Sequence, residues 1–70
     1  MNCGERIRAL RKEVGETQKV VAEAIGVSVN QMVRFESGEQ KPGFDNLWKL
    51  ADHFQVTVDF LMGREPPSGE

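Results

Sequence analysis

Within six residues, Val29, Asn30, Gln31 and Arg34 bring together an apolar contact, two carboxamides and a guanidinium. A carboxamide presents a donor and an acceptor side by side, and a guanidinium donates in a planar fork. This is chemistry for recognising a patterned edge, not for breaking a bond. Catalytic groupings are missing. The lone His53 and the lone Cys3 fall on different expected helices, and Ser28 and Ser37 have no base nearby in sequence. There is no glycine-rich phosphate loop and no metal-ligand spacing. One Cys cannot form an internal disulfide, and one Cys with one His cannot complete a structural zinc site. No enzyme, catalytic residue, metal or cofactor is expected, and no small-molecule substrate.

The elements that must position those four side chains follow from the punctuation. Gly15, Gly26, Gly38, Gly43 and Gly63 separate stretches of helical periodicity, and no stretch alternates as a strand would. An all-α chain is expected. The first helix should run from about Cys3 to Val14. Asn2 and Glu5 form its capping box, Ile7, Leu10 and Val14 its apolar stripe, and Arg6, Arg8, Arg11, Lys12 and Glu13 its outer face. The second, capped by Thr17, turns Val21, Ala22 and Ile25 inward and stops at Gly26. The third runs from Val29 to about Glu36, with Ser28 and Gln31 as a second capping box and Met32 and Phe35 inward. A fourth, Phe44 to about Phe54, buries Leu47, Leu50, Ala51 and Phe54, and a short fifth follows Thr57 with Leu61 inward. Residues 1–64 read as one domain. Residues 65–70, with two prolines, read as a flexible C-terminal tail.

With 70 residues there is no room for a second domain or a deep cavity. No apolar run approaches the roughly 20 residues of a membrane span, and the N-terminus lacks the apolar core of a secretion signal. A reducing, cytoplasmic setting without membrane contact is expected. The formal charge of −2 argues against a polyanionic partner, but it is unevenly spread. Residues 1–41 hold seven basic and six acidic residues, and residues 42–70 hold two and five. Such segregation leaves one face usable for phosphate.

Two helices joined by a short glycine-containing turn have the shape of a helix-turn-helix, whose second helix can enter a major groove. Ala22 stands four positions before Gly26, and Val21, Ile25, Met32 and Phe35 hold the crossing angle. At these residues the chain resembles the phage-repressor and Cro-like helix-turn-helix domain, of the xenobiotic-response-element type. The matching stretches are ERIRALRKEVGETQ, VVAEAIGVSVNQMVRFESGEQKPGF and LWKLADHFQVTVDFLMGR, within Glu5–Gly63. The resemblance implies a compact, five-helix, lambda-repressor-like fold. It also implies sequence-specific binding to double-stranded DNA as a homodimer on a near-palindromic operator, most simply as a bacterial or phage-encoded repressor, nucleoid-associated when bound. Carried over by position, Val29, Asn30 and Arg34 read bases, and Gln31 meets a base or a phosphate. Arg can chelate guanine, Asn and Gln can pair with adenine, and Val can touch a thymine methyl. Gln18, Ser28 and Lys41 hold the phosphate backbone, and Arg11 pairs with Glu36 to brace the first helix against the third.

Some positions depart from the family pattern. Glu16 and Glu39 put negative charge where phosphates should pass, and Val20 and Val33 are apolar where relatives are usually polar. Trp48, Val58, Phe60 and Met62 either widen a small core or form a dimer surface. With no sensor domain in the sequence, a signal is expected to act through dimerisation, degradation or a partner. A protein-interaction module on the same fold, such as an antitoxin, antirepressor or adaptor, is the competing reading.

Overall fold

The computed structural model describes residues 2–64. They form α1 (Cys3–Glu13), α2 (Gln18–Ile25), α3 (Val29–Ser37), α4 (Phe44–Phe54) and α5 (Val58–Leu61). The tail expected at 65–70 lies outside the described residues. Side-chain caps explain most helix starts, because they satisfy N–H groups that lack an intrahelical partner. The Glu5 N–H donates to Asn2 Oδ1 at 2.8 Å, and the Asn2 N–H donates to Glu5 Oε1 at 3.2 Å, the full reciprocal box. Thr17, Ser28 and Thr57 each accept the N–H three residues on, at 3.1, 3.0 and 2.9 Å. At Ser28 the box is one-sided: Gln31 donates its backbone N–H, but its side chain returns no bond. A neutral amide gains less at the positive end of a helix than a carboxylate does.

The turn between α2 and α3 depends on Gly26. It takes φ +78°, left-handed backbone that a side chain would strain, and the Val27 N–H then reaches the Ala22 carbonyl at 3.0 Å. The chain is thereby ready to start α3 at Val29. Ile7, Val21, Ala22, Ile25, Met32, Phe35, Leu47, Leu50, Ala51 and Leu61 form one buried cluster to which every helix contributes. Phe54 and Leu10 pack at its edge. α3 lies against α1 and α2, and α4 packs against α2 and α5.

Around α1 the structure departs from the expected stripe at Val14 and adds a close contact at Gly4. Val14 does not extend the Ile7–Leu10 stripe: α1 ends at Glu13, and Val14 is 52% exposed on the cap where the chain turns away through Gly15. Gly4, which carried no signal in the sequence, is buried. A Cβ there would fall 2.8 Å from the Glu36 carbonyl oxygen and nearer still to that of Phe35, so the start of α1 meets the end of α3 backbone to backbone. None of the described helices is long and apolar enough to cross a membrane.

Candidate nucleic-acid interface

α3 divides sharply along its length. Met32, Phe35 and Glu36 are buried, whereas Val29, Asn30, Val33 and Arg34 are exposed and Gln31 lies at the border. The four expected base-reading residues thus occupy the outward side and first two turns of one helix. Arg34 forms no ion pair among the described residues. Ser28 stands at the N-terminus of the same helix. Its Oγ accepts from Gln31, and among the described residues its hydroxyl donates no hydrogen bond. The loop after α3 is anchored by a Gln40 N–H bond to the Arg34 carbonyl at 3.2 Å, and exposed Lys41 follows directly.

Behind α3 lies a buried polar network. Arg11 Nε donates to Glu36 Oε2 at 2.6 Å and Nη2 donates to Oε1 at 3.1 Å, the fork-to-fork geometry suited to a carboxylate. Gln18 Nε2 adds a third bond to Glu36 Oε1 at 3.1 Å, and Arg11 Nη1 donates to the Glu16 carbonyl at 2.9 Å. The Arg11 and Glu36 side chains are only 12% and 4% exposed. Arg11 is therefore no member of α1's outer face, because the buried carboxylate draws it in. Gln18 is half-buried with its amide committed to Glu36, which fixes the start of α2 against α3. Arg8, to which the sequence assigned no role, lines a groove of about 340 Å³ with Arg11, Gln18, Val33, Glu36 and Ser37. The signal that could have found it was its spacing, three residues before Arg11 and so on the same side of α1.

A family model described as helix-turn-helix matches residues 7–61, from Ile7 in α1 to Leu61 at the end of α5. This chain belongs to the Cro/C1-type helix-turn-helix family. The cryptic phage CTXphi transcriptional repressor RstR of Vibrio cholerae is 39% identical over 64 residues, 91% of this chain and 57% of that protein. The chain spans about half the length of the curated relatives it matches. The crystal structure of the P22 c2 repressor with synthetic operator 9T superposes with a TM-score of 0.87 at 32% identity. It covers 93% of this chain and 98% of that one, and P22 is a Salmonella phage. SinR of Bacillus subtilis, solved in complex with DNA, superposes at 0.78 with 32% identity over 84% of this chain and 95% of that one.

The helix-turn-helix frame also locates the departures. Glu16 does not stand free at the start of α2: its Oε1 lies 2.6 Å from His53 Nε2 of α4. His53 itself is half-buried. Glu39, Val20 and Val33 are exposed as expected. Cys3 is half-buried, and desolvation pushes its thiol up, partly offset by the Lys41 ammonium. It is thus poorly suited to act as a thiolate.

The four dimer candidates divide among three places. Trp48 and Val58 line one groove of about 430 Å³ together with Phe44, whose ring stacks on Trp48 at 5.5 Å. Phe60 lies instead beneath Arg6, whose guanidinium is 4.8 Å from the ring centroid. Met62 lines a separate groove with Cys3, Pro42 and Leu47. In a helix, residues two apart point about 200° apart, so Val58 and Phe60 cannot share a face. Phe44 went unread in the sequence as an apolar surface. Its spacing of four from Trp48 was the available signal.

Proposed function

We propose that this chain binds double-stranded DNA sequence-specifically as a homodimer on a near-palindromic operator and acts as a transcriptional repressor in the cytoplasm. The observation that carries the reading is the exposed row Val29, Asn30 and Arg34 on a helix whose opposite side is locked into the core. Those side chains read base edges, and Gln31 at the border meets a base or a phosphate. Ser28 and Lys41 hold phosphates. One Gln18 N–H is held by Glu36, and its second N–H, with Arg8 alongside, faces the phosphate backbone. The reading is supported by relatives named as repressors and by two similar proteins solved with DNA. Dimerisation would use the Phe44–Trp48 side of α4 with Val58. No enzymatic step is assigned.

The test is selection of bound duplexes from a random pool at two salt concentrations. A two-fold symmetric site is expected, with half-sites one helical turn, about 34 Å, apart. Affinity should fall steeply with salt. Arg34→Ala should relax preference at one base position by about 1–3 kcal/mol, whereas Lys41→Ala should weaken all sequences alike. Folded protein that enriches nothing would overturn the reading and favour a protein partner for the same surface.

A further inference from the structure

Val33 is exposed on α3 and takes no part in base reading as described. At about 100° per residue, the exposed side of this helix divides into two rows. Val29 and Val33 stand four apart and form an apolar row. Asn30 and Arg34, also four apart, form a hydrogen-bonding row beside it. The valines are 40% and 41% exposed, and neither belongs to the buried cluster, so folding gives no reason for the row. It lies next to buried Glu36, on the side of α3 that faces α1 and the start of α2: Val33 lines one groove with Arg8, Gln18 and Glu36. A base pair offers chemistry to match. In the major groove an A·T pair presents hydrogen-bonding groups on its adenine, and O4 and a C5 methyl on its thymine. Two rows side by side can therefore meet the two halves of the same base pairs. Four residues rise about 6 Å, close to two base-pair steps of about 3.4 Å each.

We propose that Val33 is a specificity-determining residue for DNA: with Val29 it forms an apolar ridge that packs on the C5 methyl groups of nearby thymines in each half-site, on the strand whose phosphates Gln18 and Arg8 face. The proposal rests on the DNA-binding reading above and adds to it one residue and the chemical group that residue reads. Valine suits the contact for two reasons. It has no polar atom to desolvate, whereas a polar side chain at this place would give up water without finding a partner on a methyl group. Its χ1 is already restricted in a helix, so docking costs little rotamer freedom. The two rows then divide the work: Asn30 and Arg34 bond purine edges, and the valines tell thymine from cytosine on the pyrimidine side.

The experiment measures binding of the 70-residue chain to the duplex recovered by the selection, with each thymine of a half-site replaced in turn by deoxyuridine. The replacement removes the C5 methyl and leaves base pairing and O4 in place. Affinity is expected to fall about fourfold at each of two nearby positions on one strand, the worth of one buried methyl group. Val33→Ala should bind the thymine duplex about three- to fivefold more weakly. It should also respond less than about twofold to deoxyuridine at one of those positions, while the other stays sensitive, because the two changes remove the same contact. Wild-type affinity that ignores deoxyuridine at every thymine, with binding intact, overturns this inference alone. So does deoxyuridine sensitivity that Val33→Ala leaves unchanged at every position, since another residue would then read the methyl groups. A recovered half-site without thymine overturns it as well. Folded protein that binds no duplex overturns the DNA reading and this proposal with it. Should Val33→Ala fail to fold by circular dichroism, Val33→Ser carries the same comparison.

Discussion

The α1–α3 contact and the outer side of α4 treat polarity in opposite ways. At the first, a charged pair is buried: Arg11 of α1 and Glu36 of α3 meet at 12% and 4% side-chain exposure, with Gln18 bonded to the same carboxylate. At the second, two aromatic rings stack on each other in solvent, Phe44 at 67% and Trp48 at 57% exposure. Folding alone favours neither arrangement. Burial of charge is tolerated only where every donor finds an acceptor, and exposed aromatic surface usually marks a contact with another molecule. The first region therefore serves the position of α3, and the second is surplus to the monomer.

The largest expected effect breaks the first region. Glu36→Ala leaves the Arg11 guanidinium mostly buried without its carboxylate and removes the Gln18 anchor. A loss of about 3 kcal/mol in urea unfolding is expected, the lower end for a broken buried pair, because Arg11 Nη1 keeps the Glu16 carbonyl. A loss below about 1 kcal/mol would show that the pair behaves as a surface pair. Glu36→Gln should fall between, since an amide keeps one acceptor and loses the charge.

The next two predictions separate packing from backbone conformation. Gly4→Ala gains helix propensity but drives a methyl into the carbonyls of Phe35 and Glu36. We expect a net destabilisation of about 1–3 kcal/mol, as for overpacking, together with weaker DNA binding because α3 must shift. Stabilisation instead would show that α1 can withdraw freely. Gly26→Ala meets no atom within 4 Å of the new Cβ, so its cost is that of φ +78° alone, about 1–2 kcal/mol. The two glycines thus test different physics on either side of the same helix.

These positions also show what could be read from sequence. The helix starts at Asn2, Thr17, Ser28 and Thr57 were legible because cap and N–H lie three residues apart, so local chemistry decides them. The outward row of α3 was legible because a 3.6-residue period sorts its faces. Gly4 was not, since its role depends on carbonyls more than thirty residues away that only packing brings near. The pairing of Glu16 with His53 spans 37 positions and was hidden for the same reason. Val14 failed differently: periodicity predicted the right face, but the helix ended one residue before it.

The smallest expected effect on folding tests the second region, and its value lies in being small. Trp48→Lys removes a ring that is more than half exposed and makes its principal aromatic contact with Phe44, itself exposed. Monomer stability should change by no more than about 0.5 kcal/mol, as at most surface sites. If the Phe44–Trp48 groove is the homodimer surface, the same change should shift sedimentation to that of a monomer at concentrations where the parent chain associates. DNA affinity should fall with it, because two linked half-site contacts become two independent ones. Phe60→Glu is a poorer probe of the same question, since Phe60 packs beneath Arg6 and its loss would disturb the α1–α5 contact as well. Unchanged sedimentation and DNA affinity in Trp48→Lys would remove α4 from the dimer. The exposed rings would then need another partner, and the contrast between the two regions would no longer be one between a recognition side and an assembly side.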